Sequence, residues 1–246
     1  MIEWPVLFLT GLVAGWVDSI AGGGGLITVP VLMNLGLPPA VALGTNKLQG
    51  SFGSGSATWH YAQAGLIDFR ETITGILFTA IGAATGACAV QQMRPDFLRI
   101  VVPILLIAIA LYLLLRPQLG EAESKPRLAA GIFYLLFGLG IGFYDGFFGP
   151  GTGSFWAMAY VLVLGFHLTR ATAHTKLMNF TSNVVALVAF AISGQVDVMA
   201  GTVMGAGQLI GARLGARMVI RRGVKFIRPI FITVVLAITA RLLWAR

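Results

Sequence analysis

The sequence predicts an all-α membrane protein: a polytopic helical bundle of two internal repeats, taken as inverted, each with a glycine-broken hairpin or half-helix pair. Three observations lead there. Of 246 residues, 57% are hydrophobic and 11% charged, with a mean hydropathy of +0.86, far from the composition of a soluble domain. Apolar runs recur along the whole chain at helix length. The two halves also carry matching motifs. GLVAGWVDSIAGGGG and then VLMNLGLPPAVALGTNKLQGS run from Gly11 to Ser51, and GLGIGFYDGFFGPGTG and then YVLVLGFHLTRATAHTKLMNFTS run from Gly138 to Ser182. Asp18 matches Asp145 at a separation of 127, while Gly36 matches Gly165 and Lys47 matches Lys176 at 129. The slip of two falls in the second glycine-rich stretch, around Phe147 to Gly153. Internal repeats in a hydrophobic chain point to a transporter, whose site forms where the halves meet.

In order, the first half (residues 1–115) offers apolar runs at Trp4–Ile20, Leu26–Leu35, Pro39–Ala64, Thr72–Val90 and Phe97–Leu115. Arg116–Arg127, RPQLGEAESKPR, reads as a polar linker. The second half (residues 128–246) offers Leu128–Phe143, Phe155–Phe166, Leu168–Ile192, Val196–Val219 and Phe226–Trp244. In each half the first two runs are short and joined by glycines. This suits a re-entrant hairpin or a broken helix, because irregular backbone at membrane depth is tolerated only where it lines a cavity. The start, MIEWPVLFLT, has no Lys or Arg before its apolar run, so the first segment is expected to stay in the membrane and not to be cleaved. Cys88 is alone, which excludes a disulfide or a multi-cysteine metal framework.

The net charge of +8 belongs to helix ends and short loops and reads as topology information, not as a nucleic-acid surface. If each hairpin returns to its starting side, the halves are inverted. Arg70, the linker, Arg170 and the Arg213–Arg228 stretch then share one face, against Arg94, Arg99, Arg241 and Arg246 on the other. The rich face is expected to be cytoplasmic, so the linker is cytoplasmic and both termini are extracytoplasmic. A parallel repeat would place the termini on the same side.

Two lysines deep in apolar helices need a reason, since a buried lysine costs at least about 2.5 kcal/mol. Lys47 lies about 12 Å along its helix from Pro39, and Lys176 has the same depth from Leu168. Thr45, Asn46, Gln49 and Ser51 accompany the first; His174, Thr175, Asn179 and Thr181 accompany the second. Ammonium groups with hydroxyl and amide donors can replace the water bonds of a dehydrated oxyanion. Equally, each lysine can form a structural bridge with an aspartate, Lys47 with Asp18 and Lys176 with Asp145, or crosswise. Asp18 and Asp145 are thus counter-ions or proton-coupling sites. The glycines Gly22, Gly23, Gly24 and Gly25, and Gly149, Gly151 and Gly153, either form an anion-binding nest at a half-helix start or permit a tight hairpin. His60 reads as packing, the aromatic residues Trp16, Phe143, Tyr144 and Phe148 read as packing or as a cover that closes over a substrate, and His174 is open between packing and a proton relay. Ser54, Ser56 and His60 raise a hydrolase reading, yet runs of small residues are ordinary helix-packing faces. The chain is read as a transporter and not an enzyme, with a passive anion channel as the main rival.

The stretch GLVAGWVDSIAGGGGLITVPVLMNLGLPPAVALGTNK, with GIGFYDGFFGPGTG and ATAHTK in the second half, resembles the sulfite exporter TauE/SafE family, also called the toluene sulfonate uptake permease family. The resemblance implies an inner-membrane secondary transporter of sulfite, sulfoacetate or other sulfonates. Its expected partners are a small anion, the lipid bilayer, and coupled protons or cations. No cofactor, metal or nucleic acid is expected. Substrate, direction, coupling ion and oligomeric state stay open.

Overall fold

The structure, a computed structural model, describes residues 4–94, 96–98, 100, 104 and 123–222. Its helices are α1 (Trp4–Ala21), α2 (Gly25–Asn34), α3 (Pro39–Gln63), α4 (Phe69–Gln91), α5 (Ala130–Phe147), α6 (Thr152–Val163), α7 (Leu168–Ile192) and α8 (Val198–Arg222). The expected runs Phe97–Leu115 and Phe226–Trp244, and most of the Arg116–Arg127 linker, lie outside the described residues.

Local chemistry explains the boundaries. Proline opens α3 at its first helical position, where the missing N–H has no intrahelical partner to lose. Asp68 caps α4 by accepting the Arg70 N–H at 2.8 Å, and Asp197 caps α8 by accepting the Ala200 N–H at 2.9 Å. These caps start α4 three residues before the hydrophobic run does. Helix α5 passes through a π-helical turn at Tyr134–Gly138 and continues to Phe147. Asp145 therefore sits inside a helix, although the apolar run stops at Phe143.

Helices α1, α4, α5 and α7 are long and apolar enough to cross a bilayer. Helices α3 and α8 have 25 residues each, roughly 37 Å of rise, but carry polar faces. With 10 and 12 residues, α2 and α6 reach only about 15–18 Å, half of a hydrocarbon core. Both fold back on the preceding helix. Leu7 near the start of α1 shares an apolar cluster with Leu32 near the end of α2. Phe133 at the start of α5 lies 5.3 Å, ring to ring, from Tyr160 near the end of α6. Both glycine turns therefore make hairpins and not bent continuous helices. Apolar side chains such as Leu9, Ile73, Leu77 and Val188 remain exposed on the outer surface, as expected of a face meant for lipid.

The helices of the two halves interleave. Helix α1 packs along α8 and α5 along α4; α3 also packs on α8, and α7 on α4. The first two of these contacts are backbone-close. A Cβ on Gly11 would lie 2.0 Å from the Met204 carbonyl oxygen, and one on Gly86 would lie 2.0 Å from that of Phe143, so glycine is required for that approach. Helices α3 and α7 cross at the centre and run antiparallel. Gly44 faces Phe190, Gly50 faces Asn183 and Gly55 faces Phe180.

Candidate functional site

The two hairpin tips meet at this crossing. Gly22 has φ +78° and Gly149 φ +98°, left-handed conformations that strain any residue with a Cβ. A Cβ on Gly22 would lie 2.4 Å from the Gly153 backbone. The tips thus need glycine both for conformation and for contact, so the hairpin reading of these runs holds. The peptide N–H groups of Gly25 and Gly153, each in the first turn of a short helix, enter none of the backbone hydrogen bonds of the turns, as the geometry of a helix start dictates.

Each buried lysine bridges to the aspartate of the other half. Lys47 Nζ on α3 donates to Asp145 Oδ1 on α5 at 2.6 Å and to the Asp145 carbonyl oxygen. Lys176 Nζ on α7 donates to Asp18 Oδ2 on α1 at 3.1 Å. Of the two pairings open from sequence, the crosswise one is present. Lys47 and Lys176 are about 1% exposed, Asp145 4% and Asp18 15%. The second oxygens are also held: Ser182 donates its hydroxyl to Asp145 Oδ2, and the Gly24 N–H donates to Asp18 Oδ1 at 3.2 Å.

Between the bridges lies a polar cavity of about 30 Å³, room for one or two waters. Its walls are Asp18, Asp145, Asn46, Gln49, Asn179, Asn183 and Gln208, with backbone of Gly22, Gly25, Gly50, Gly149, Gly151, Thr152 and Gly153. The lysines stand behind their carboxylates and do not form the wall. Gln49 donates to Asn46 Oδ1 at 2.7 Å, and Thr28 donates to the same oxygen at 2.6 Å. The carbonyl oxygens of Gln49, Asn179 and Gln208 are buried without hydrogen-bond partners. The site thus combines two charge-neutralised bridges, side-chain amides with unpartnered carbonyl oxygens and free peptide donors.

Of the residues expected here, Thr45, His174, Thr175, Gly23 and Gly24 do not line the cavity. Thr45 accepts the Asp197 N–H at 2.9 Å and ties α3 to the start of α8. His174 packs between Tyr160 and Phe166, at 5.6 and 5.1 Å between ring centroids, with Nδ1 3.2 Å from the Arg170 carbonyl oxygen. It points into an aromatic cluster and away from the bridges. Thr175 is buried beside it, with no partner for its hydroxyl. Ser51 and Thr181 bond back to carbonyls of their own helices, and Gly23 and Gly24 stay behind the wall, Gly24 occupied with Asp18. Ser56 donates to the Leu209 carbonyl oxygen at 3.0 Å, and His60 Nδ1 lies 2.7 Å from the Ser56 carbonyl oxygen. They serve helix packing and form no nucleophile–base pair. Sequence reasoning missed Gln208 and Asn183. The signal for Gln208 was present: Gly201, Gly205, Gln208, Ala212 and Gly215 recur at helical spacing, so the glutamine lies on the small-residue stripe that α8 turns inward.

The family model "Sulfite exporter TauE/SafE" matches residues 7–242. The chain is 47% identical over 239 residues to "Probable membrane transporter protein YfcA" of Escherichia coli strain K12, covering 97% of this chain and 89% of that protein. It is 46% identical over 237 residues to "Probable membrane transporter protein ORF9" of Sinorhizobium sp, covering 96% and 91%. A plant protein, "Sulfite exporter TauE/SafE family protein 6" of Arabidopsis thaliana, is 32% identical over 117 residues, 46% of this chain and 26% of that protein. No solved structure matches.

Proposed function

The chain belongs to the sulfite exporter TauE/SafE family, and from that premise we propose that it carries small sulfur-containing or organic anions, of the sulfite, sulfoacetate or sulfonate class, across the inner membrane by alternating access. The observation that carries this reading is the pair of crosswise lysine–aspartate bridges flanking one polar cavity at the meeting point of two hairpin tips. Two inverted repeats account for that arrangement. Helices α3 and α7 have the same length, start 129 residues apart (39 and 168) and cross antiparallel. Helices α4 and α8 likewise start 129 apart (69 and 198), each after an aspartate cap.

The chemistry follows from donors and charge. A dehydrated oxyanion needs several donors to replace its water. A lysine released from its bridge, the amide NH₂ groups of Asn46, Asn179 and Gln208, and the first peptide groups of α2 and α6 supply them, the last aided by the positive ends of the half-helices. The cavity holds one or two waters, less than a sulfur oxyanion with four or more heavy atoms requires, so it must widen to load. Two lysines and two aspartates sum to zero. A monovalent anion entering alone would leave one buried negative charge, which is costly, so the anion is expected to travel with a proton or another cation. Proteoliposomes holding the purified protein test this with sulfite, sulfoacetate and methanesulfonate. Uptake above the equilibrium level under an imposed pH or cation gradient is the expected result. Flux that only equilibrates under every gradient identifies a channel and overturns the proposal.

A further inference from the structure

We propose that the two bridges have different tasks: Lys176–Asp18 is the one that opens to the anion, while Lys47–Asp145 remains closed. This deepens the transport reading above and rests on it. The bridges are equivalent in sequence but not in their supporting donors. Asp145 is held on both oxygens by side chains, Lys47 at 2.6 Å and the Ser182 hydroxyl, and Lys47 also binds the Asp145 carbonyl oxygen. Asp18 is held by Lys176 at 3.1 Å and by one peptide N–H at 3.2 Å, and it is the more exposed carboxylate, 15% against 4%.

The difference is written into the repeat. Ser182 stands six residues after Lys176, and the residue six after Lys47 is Gly53. The hydroxyl that secures Asp145 thus has no counterpart beside Asp18. Its space is taken by Gln208: a Cβ on Gly53 would lie 2.5 Å from Gln208 Cγ and Nε2. Gln208 lines the cavity with its carbonyl oxygen unpartnered. Releasing Asp18 gives up one lysine contact and one peptide N–H, and both donors then face the anion. The NH₂ of Gln208, a residue of the cavity wall, is a third. Releasing Asp145 would instead strand both Lys47 and Ser182, which close on the same carboxylate. Asp18 therefore acts as an internal competitor that the anion displaces, and Lys47–Asp145–Ser182 pins α3 and α7 to α5 while it does so.

The test is thermal unfolding of the purified full chain in detergent, with and without sulfite, sulfoacetate, acetate or phosphate. Asp145→Asn is expected to unfold at clearly lower temperature than Asp18→Asn, which also leaves a buried lysine unpaired but breaks fewer supporting bonds, and Ser182→Ala should lower the unfolding temperature mildly. Anion affinity, read from the concentration dependence of the shift, should rise about tenfold in Asp18→Asn, because Lys176 no longer spends its time on a competing carboxylate, and should not rise in Ser182→Ala. The double variant Gly53→Ser with Gln208→Ala, which offers Asp18 a hydroxyl, should bind more weakly than Gln208→Ala alone. Equal losses of stability in the two Asn variants, or tightening in Asp145→Asn instead, would overturn the assignment. If none of these anions shifts the parent, the transport reading fails by itself, and the stability ranking still decides whether the bridges differ.

Discussion

Replacing Gly153 with alanine adds one methyl group where the two hairpin tips touch. The added carbon would lie 2.4 Å from Gly22 Cα, 2.9 Å from Asn179 Nδ2 and 3.2 Å from the Gly22 carbonyl oxygen. Carbon atoms prefer about 3.5–4.0 Å, so the α1–α2 turn must retreat by roughly an ångström. That turn cannot yield as a flexible side chain would: Gly22 holds it at φ +78°, and Asp18 is tied to Gly24 within it. Overpacking of this kind costs about 1–3 kcal/mol. At about 2–4 °C per kcal/mol for a chain of this size, unfolding should move down by roughly 2–12 °C. Gly140→Ala is the control, since a Cβ there meets nothing within 4 Å, and alanine improves helix propensity by up to about 1 kcal/mol. Fluorescence-detected unfolding in detergent reads stability, and liposome uptake below the unfolding temperature reads function, which should fall in Gly153→Ala because the tips can no longer close on the cavity. A Gly153→Ala protein as stable and active as the parent, or a Gly140→Ala protein equally damaged, would refute the tip-to-tip packing.

Lys47→Met leaves Asp145 buried without its cation and should cost about 3–5 kcal/mol, whereas Lys47→Met with Asp145→Leu should recover most of that loss; equal stability of the single and double variants in thermal unfolding would contradict the bridge. Arg170 meets Glu71 at 3.0 Å and Glu123 at 3.6 Å, all partly or fully exposed, so Arg170→Ala should cost less than about 1 kcal/mol, and a loss beyond 2 would show that this cluster does more than decorate the surface. A C-terminal reporter active only in the cytoplasm should stay dark, and a cysteine placed in the 116–127 linker should label from the cytoplasmic side; strong reporter signal reverses the orientation.

Much of the site was legible because polar residues stand out against an apolar chain. Lys47, Lys176, Asp18 and Asp145 are conspicuous for their desolvation cost, and the glycine turns announced themselves by composition. Gln208 was harder to see, since a single amide among glycines and alanines carries no charge to draw notice. His174 and Thr45 misled for the opposite reason. They sit beside the right lysines in sequence, but neighbours on a helix diverge by about 100° per residue, so each faces a different neighbour: an aromatic cluster for His174 and the start of α8 for Thr45.

The sequence by itself determined the class, the order of the described segments and the limits of α3 and α7 to within a residue. Pro39 and the run from Leu168 to Ile192 mark α3 and α7 without any tertiary information, because helix starts and apolar periodicity are local properties. Only the tertiary structure decided that Lys47 pairs with Asp145 and Lys176 with Asp18. That choice depends on α1 lying along α8 and α5 along α4, which backbone-close glycine contacts between distant segments set, and no local pattern encodes which carboxylate a lysine will meet. The inequality of the two bridges was likewise settled there. Gly53 and Ser182 differ by a hydroxyl in the chain, but only the packing of α3 and α7 against the aspartates turns that hydroxyl into a difference in how firmly each carboxylate is held.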